Sequence, residues 1–175
     1  MAFPGDLAQQ LLICFHAELD AGPAPIPAEK VCLRAGETIP ISAGTAENEA
    51  CGLAWVRVTQ VRPVRLAIQE QSADDMPTAC GHSAWAVDLE MAVVRCLPYG
   101  TTASGPSCDD WTAAALLMDA DAAAMRRASC CFEPIVSDTY ALGGVTPGVW
   151  EPHGPEGGAL WGTQLVTVIL DCSEC

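Results

Sequence analysis

Ser83–Leu97, SAWAVDLEMAVVRCL, is the stretch on which the fold turns. Trp85, Val87, Leu89, Met91 and Val93 fall on one side of an extended chain, and Ala84, Ala86, Asp88, Glu90 and Ala92 on the other. Successive side chains of a strand point to opposite faces. This period of two therefore predicts a strand in a sheet with one face turned into a core. Pro98-Tyr99-Gly100 marks its end, and a loop of small residues follows to Pro106.

Working outward, Gly52–Val61 is rich in β-branched residues and predicts a second strand, closed by Pro63. Gly162–Leu170 is almost wholly apolar. It reads as a central strand covered on both faces, or as one whose second face meets another subunit. Val145–Trp150 reads as an edge strand interrupted by Pro147. Two helices complete the pattern. Asp6–Leu19 carries Leu7, Leu11, Leu12, Phe15 and Leu19 at helical spacing, with Asp6 placed to cap it. Asp109–Cys131 opens on two aspartates and nears its end with Arg126 and Arg127, the charge order that suits the helix dipole. Trp111, Ala115, Met118, Ala122 and Met125 make its packing stripe, and Pro134 is expected to stop it. Together these elements predict an α/β (α+β) two-layer module: a mixed or antiparallel sheet of about four to six strands packed by two helices. Residues 1–175 form one domain, with a Pro-rich arm or excursion at about 21–50 in which Val31–Arg34 and Thr38–Ser42 are candidate short strands.

A chain of 175 residues can bury a core without metals or disulfides. Its formal charge is −14, with eight Lys plus Arg, which excludes a positively charged DNA clamp. Acidity ordinarily maintains solubility; it also suits a wall past which DNA slides. No apolar run reaches the length of a membrane span. The start, MAFPGDLAQQLL, lacks a basic segment and a cleavage site, so synthesis in a cytoplasm is expected. In that setting the ten cysteines are read as buried free thiols, although a particle released from a cell could oxidise some pairs.

The candidates for chemistry are sparse. Cys80-x-His82 offers two metal ligands where a zinc site needs four, and His16 and His153 are distant in sequence. Cys172-x-x-Cys175 has redox spacing, but a frayed tail or a single structural disulfide is expected there rather than redox catalysis. Cys130-Cys131 lies at a helix end, where consecutive residues diverge by about 100° and core packing is the ordinary role. Asp88 and Glu90 share a strand face; paired carboxylates do acid–base work in some sites, but flanking alanines favour a solvated face or a subunit contact. Asp74-Asp75 is read as an acidic loop. No phosphate-binding loop, nucleophile elbow or zinc-protease helix is present in the sequence. The expectation is a protein that is not an enzyme and takes no cofactor or metal.

Four segments carry a resemblance: CGLAWVRVTQVRP (Cys51–Pro63), SAWAVDLEMAVVRCLP (Ser83–Pro98), DDWTAAALLMDADAAAMRRASCCF (Asp109–Phe132) and WGTQLVTVIL (Trp161–Leu170). In layout they resemble the tail terminator proteins of long, non-contractile-tailed phages, and in sequence the neck and tail-terminator proteins of phages infecting actinobacteria. The Pro-rich 22–50 region and the many cysteines depart from the general pattern. The resemblance implies a structural virion protein, assembled in the host cytoplasm, that forms a homo-oligomeric ring of six at the head-proximal end of the tail. Such a ring ends polymerisation of the major tail tube protein and meets the head-side connector or stopper. Genomic DNA passes its lumen without specific binding, and no membrane is involved. On that basis Asp88, Glu90, Trp111, Val166 and Val168 are the candidate subunit-interface residues, and Asp74 and Asp75 the candidate lumen-facing ones. Another neck ring (connector, stopper or adaptor) and a stand-alone intracellular binding protein are the competing expectations.

Overall fold

A computed structural model describes residues 4–36, 52–64, 84–97, 105–139, 141–156 and 158–171. Helix α1 (Pro4–Asp20) leads through a 3₁₀ turn at Ala28–Lys30 into strand β1 (Val31–Leu33). Strands β2 (Leu53–Val64) and β3 (Ala84–Cys96) come next. Helix α2 (Cys108–Thr139) and strands β4 (Ala141–Glu156) and β5 (Ala159–Asp171) follow. The five strands form one sheet in the order β1-β2-β3-β5-β4. Only β1 and β2 run parallel; every other pairing is antiparallel, so the sheet is mixed, as expected.

The alternation in β3 sets the layers. Val87, Leu89, Met91 and Val93 are fully buried beneath the helices, with Ala54 and Val56 of β2 and Val166 and Val168 of β5. From above, α1 contributes Leu7, Leu11, Phe15 and Leu19, and α2 contributes Met125, Ala128, Phe132 and Val136. Removing this apolar area from water is the main force holding helices to sheet. Cys14 is bonded to Cys131, and Arg127 pairs with Glu18. Rising position in α1 thus meets falling position in α2, so the helices run antiparallel. The opposite face of the sheet holds a smaller cluster: Trp55, Ala92, Val94, Ala159 and Trp161.

Several boundaries differ from the sequence reading. Strand β2 does not close at Pro63: Pro63 pairs with Trp85 and Val64 with Ala84. Helix α2 does not stop at Pro134 but carries it internally and continues to Thr139. The Pro134 ring is exposed, and the apolar stripe persists beyond it through Ile135 and Val136, which pack on the core. That burial outweighs the lost backbone hydrogen bond. The expected arm at 21–50 is, in its first part, built into the fold: Ile26 is buried in the core and Val31–Leu33 pair with Ala54–Val56. The candidate strand Thr38–Ser42 lies outside the described residues. Strand β5 is interior to the sheet, yet only its helix side is fully covered, since Leu165 on the other side is 46% exposed.

Candidate functional site

The face of the sheet away from the helices gathers most of the polar residues. Register places Glu90 directly opposite Arg57, and Arg57 Nη2 donates to Glu90 Oε2 at 2.9 Å. Arg57 Nε lies 2.8 Å from Oε1 but too far off line to hydrogen-bond. Arg57 also donates to the Gly36 carbonyl at 2.6 Å, which ties β2 to the chain leaving β1. One position along, Asp88 accepts from Arg62 Nε at 3.2 Å and from the Thr167 hydroxyl at 2.6 Å. Asp88 thus links β2, β3 and β5. Cross-strand pairs of this kind stabilise a sheet by fractions of a kcal/mol each.

These contacts change the reading of the two carboxylates. Asp88 and Glu90, expected at a subunit interface, are already occupied within the chain, with side chains only 14% and 12% exposed. Their charge is spent on register rather than left for a neighbour. Val166 and Val168, expected there too, are fully buried in the main core. Their even positions on β5 point to the helices, so no partner can reach them. Trp111 differs: it stands on the first turn of α2 and is 39% exposed. Asp74 and Asp75 lie outside the described residues, as do Cys80, His82, Cys172 and Cys175.

Around Trp111, α2 overhangs the sheet. Trp111, Thr112, Ala113, Ala115 and Leu116 are exposed, and burial begins at Met118. The helix start is closed by a reciprocal cap: Ser107 Oγ accepts from the Asp110 amide at 3.2 Å, and the Ser107 amide and hydroxyl both donate to Asp110 Oδ2 at 2.8 Å. Those donors hold the Asp110 carboxyl below its ordinary pKa. Beneath the overhang lies a recess of about 200 Å³ lined by Arg95, Cys96, Asp110, Ala113, Ala114, Leu117 and Leu160. At its floor Arg95 makes a bidentate pair with Asp121, Nε to Oδ2 at 2.9 Å and Nη2 to Oδ1 at 2.6 Å, with both side chains buried. Sequence reasoning missed this pair, although the signal was there. Arg95 continues the odd-numbered core face of β3 and needs a buried acid, and Asp121 sits three residues past Met118 in the apolar part of α2.

Two further features were not legible beforehand. The Arg34 guanidinium lies 5.1 Å over the Trp55 ring, at the β1 edge of the polar face. Near the other edge His153 stacks on Trp161, with ring centroids 5.5 Å apart. The expectation of buried free thiols fails for Cys14 and Cys131, which join α1 to α2, and for Cys96, which is also disulfide-bonded, while Cys130 and Cys108 are free and exposed. Core packing is thus not the role of the vicinal pair. Among the described residues no three His, Cys, Asp or Glu side chains are grouped to hold a metal ion. No helix among them is long and apolar enough to cross a membrane. No protein-family model matches the chain, and the search of curated proteins finds no match.

Proposed function

We propose that the protein is a structural virion component: a ring-forming tail terminator at the head-proximal end of a long non-contractile phage tail. In this reading it ends growth of the tail tube and joins the tail to the head connector. The observation that carries the proposal is how the few cations are used. Of eight Lys plus Arg, Arg57, Arg62, Arg95 and Arg127 are bonded to carboxylates of the same chain. With a net charge of −14, little positive surface is left to grip a polyanion. A lumen through which DNA moves needs a wall of that kind. A rigid two-layer module also suits head-to-tail packing into a closed ring.

The test is electron microscopy of particles assembled with this gene interrupted by an early stop codon. Overlong tails of variable length, unattached to filled heads, are the expected outcome. Tails of normal length beside separate heads would make the protein a head-side connector. Intact virions would reject a neck role and leave the stand-alone binding protein as the reading to pursue.

A further inference from the structure

The two edges of the sheet each present a charged side chain, and the two are of opposite sign. Arg34 lies at the β1 edge, whereas Arg57 and Arg62 on β2 beside it are already paired with Glu90 and Asp88. No lysine or arginine follows Arg127, so the β4–β5 side has none, whereas β4 presents Glu151 and Glu156 to solvent. Among the described residues Arg34 makes no ion pair: it rests on Trp55, and its buried Nη1 has no hydrogen-bond partner. At the far edge the Glu151 side chain is 66% exposed, with His153 Nε2 at 3.9 Å as its nearest basic group. Register puts Arg34 and Glu151 on the same face of the sheet. Arg34 follows Leu33, the partner of Val56, and so points the way of Trp55, while Glu151 pairs with Thr163, on the side away from the helices. Each edge also exposes one large apolar side chain, Leu33 at 41% and Val149 at 78%.

We propose that these edges join copies of this chain head to tail, with Glu151 on the β4 edge of one copy engaging Arg34 on the β1 edge of the next. The occupant is a second copy because the molecule carries both halves of the contact on opposite edges. A contact between different patches propagates in one direction and closes into a ring where the rotation permits. Arginine backed by an aromatic ring is a common anchor of such interfaces. The joint is made by side chains and not by extending the sheet. Pro147, Pro152 and Pro155 remove amide donors from β4, and its pairing with β5 shifts register three times. The inference rests on the ring assembly proposed above and names the surface that would build it.

The experiment measures self-association of the full chain by native mass spectrometry and sedimentation, at low and high salt. Arg34→Glu and Glu151→Arg are each expected to weaken association about tenfold or more. An equimolar mixture of the two variants is expected to recover it, since each joint then again has one acid and one base. Salt is expected to weaken the wild-type assembly. Glu151→Arg changes an exposed side chain, so it keeps the test sound if Arg34→Glu perturbs Trp55. Single variants that associate as tightly as wild type overturn the inference while leaving the ring reading intact. A wild-type chain that stays monomeric, with Arg34→Glu blocking attachment to tails or heads, also overturns it and assigns the β1 edge to a different protein. Tail length in the stop-codon experiment judges the terminator reading independently.

Discussion

Gly162 is a glycine for want of space. A Cβ at this position would lie 2.6 Å from Trp150 Nε1 and 3.1 Å from two further indole atoms. The indole belongs to the packing under α2, so it cannot swing away freely. Gly162→Ala is expected to cost about 1–3 kcal/mol, read as a lower midpoint in denaturant with an unchanged slope. The Arg95–Asp121 pair makes a different kind of demand. Asp121→Ala strands a guanidinium in the interior and is expected to cost about 3–5 kcal/mol. Replacing both partners, Arg95→Met with Asp121→Leu, removes the buried charges together and is expected to lose far less. A double variant as unstable as the single one would show that the pair contributes more than mutual neutralisation. Of the candidate site, the sequence made the residue types legible but not their partners. Asp88 and Glu90 were rightly placed on one face of β3, but their cations come from β2 by long-range register. Val166 and Val168 looked available because an all-apolar run does not say which of its two faces a helix will cover.

Helix α2 shows how far local signals reach. Its start was legible from Asp109 and Asp110, but its core stripe only in part: Met118, Ala122 and Met125 are buried, whereas Trp111 and Ala115, expected in the same stripe, are exposed. Its end was not legible, because the penalty of Pro134 is local while the burial of Phe132 and Val136 is tertiary. Pro63 in β2 tells the same story: it stays in the strand because its neighbours on β3 continue the pairing. The strand β3 and the stripe of α1 were legible almost to the residue, since each is an unbroken period of two or 3.6. What periodicity cannot give is the link between the helices. The Cys14–Cys131 bond closes a separation of 117 residues. In the chain-entropy account such a loop contributes about 4–5 kcal/mol by restricting the unfolded chain. Cys14→Ala with Cys131→Ala is therefore expected to lower the melting temperature while leaving the far-ultraviolet circular dichroism unchanged at low temperature. The Arg127–Glu18 contact and the apolar packing of α1 on the sheet still hold the helices in place. Loss of helical signal in that double variant at low temperature would mean that the bond, and not the packing, positions α1.

For the folded chain as an object to be docked, the overhang of α2 is the part that stability does not explain. Residues 111–116 add a helical turn and a half beyond the point where burial begins, and they expose Trp111 at 39% and Leu116 at 65%. Side chains left open at this overhang contribute less to folding than the buried stripe does, so a role in assembly predicts that fold and function separate here. Trp111 is 39% exposed, so Trp111→Asp is expected to cost no more than about 1–2 kcal/mol and to leave the chain folded. Met125→Asp, by contrast, places a charge at a fully buried position and is expected to unfold the chain. Supplied in place of the wild-type gene in the stop-codon background, Trp111→Asp is expected to yield folded protein that fails to restore normal tails. The counts of joined head–tail particles and the tail-length distribution measure this, beside a melting curve of the purified variant. Normal particles made with Trp111→Asp would remove the overhang from the assembly surface and leave the two sheet edges as the remaining candidates. A variant that melts well below wild type would instead show that Trp111 is held by the fold despite its exposure, and its effect on particles would then report stability and not contact.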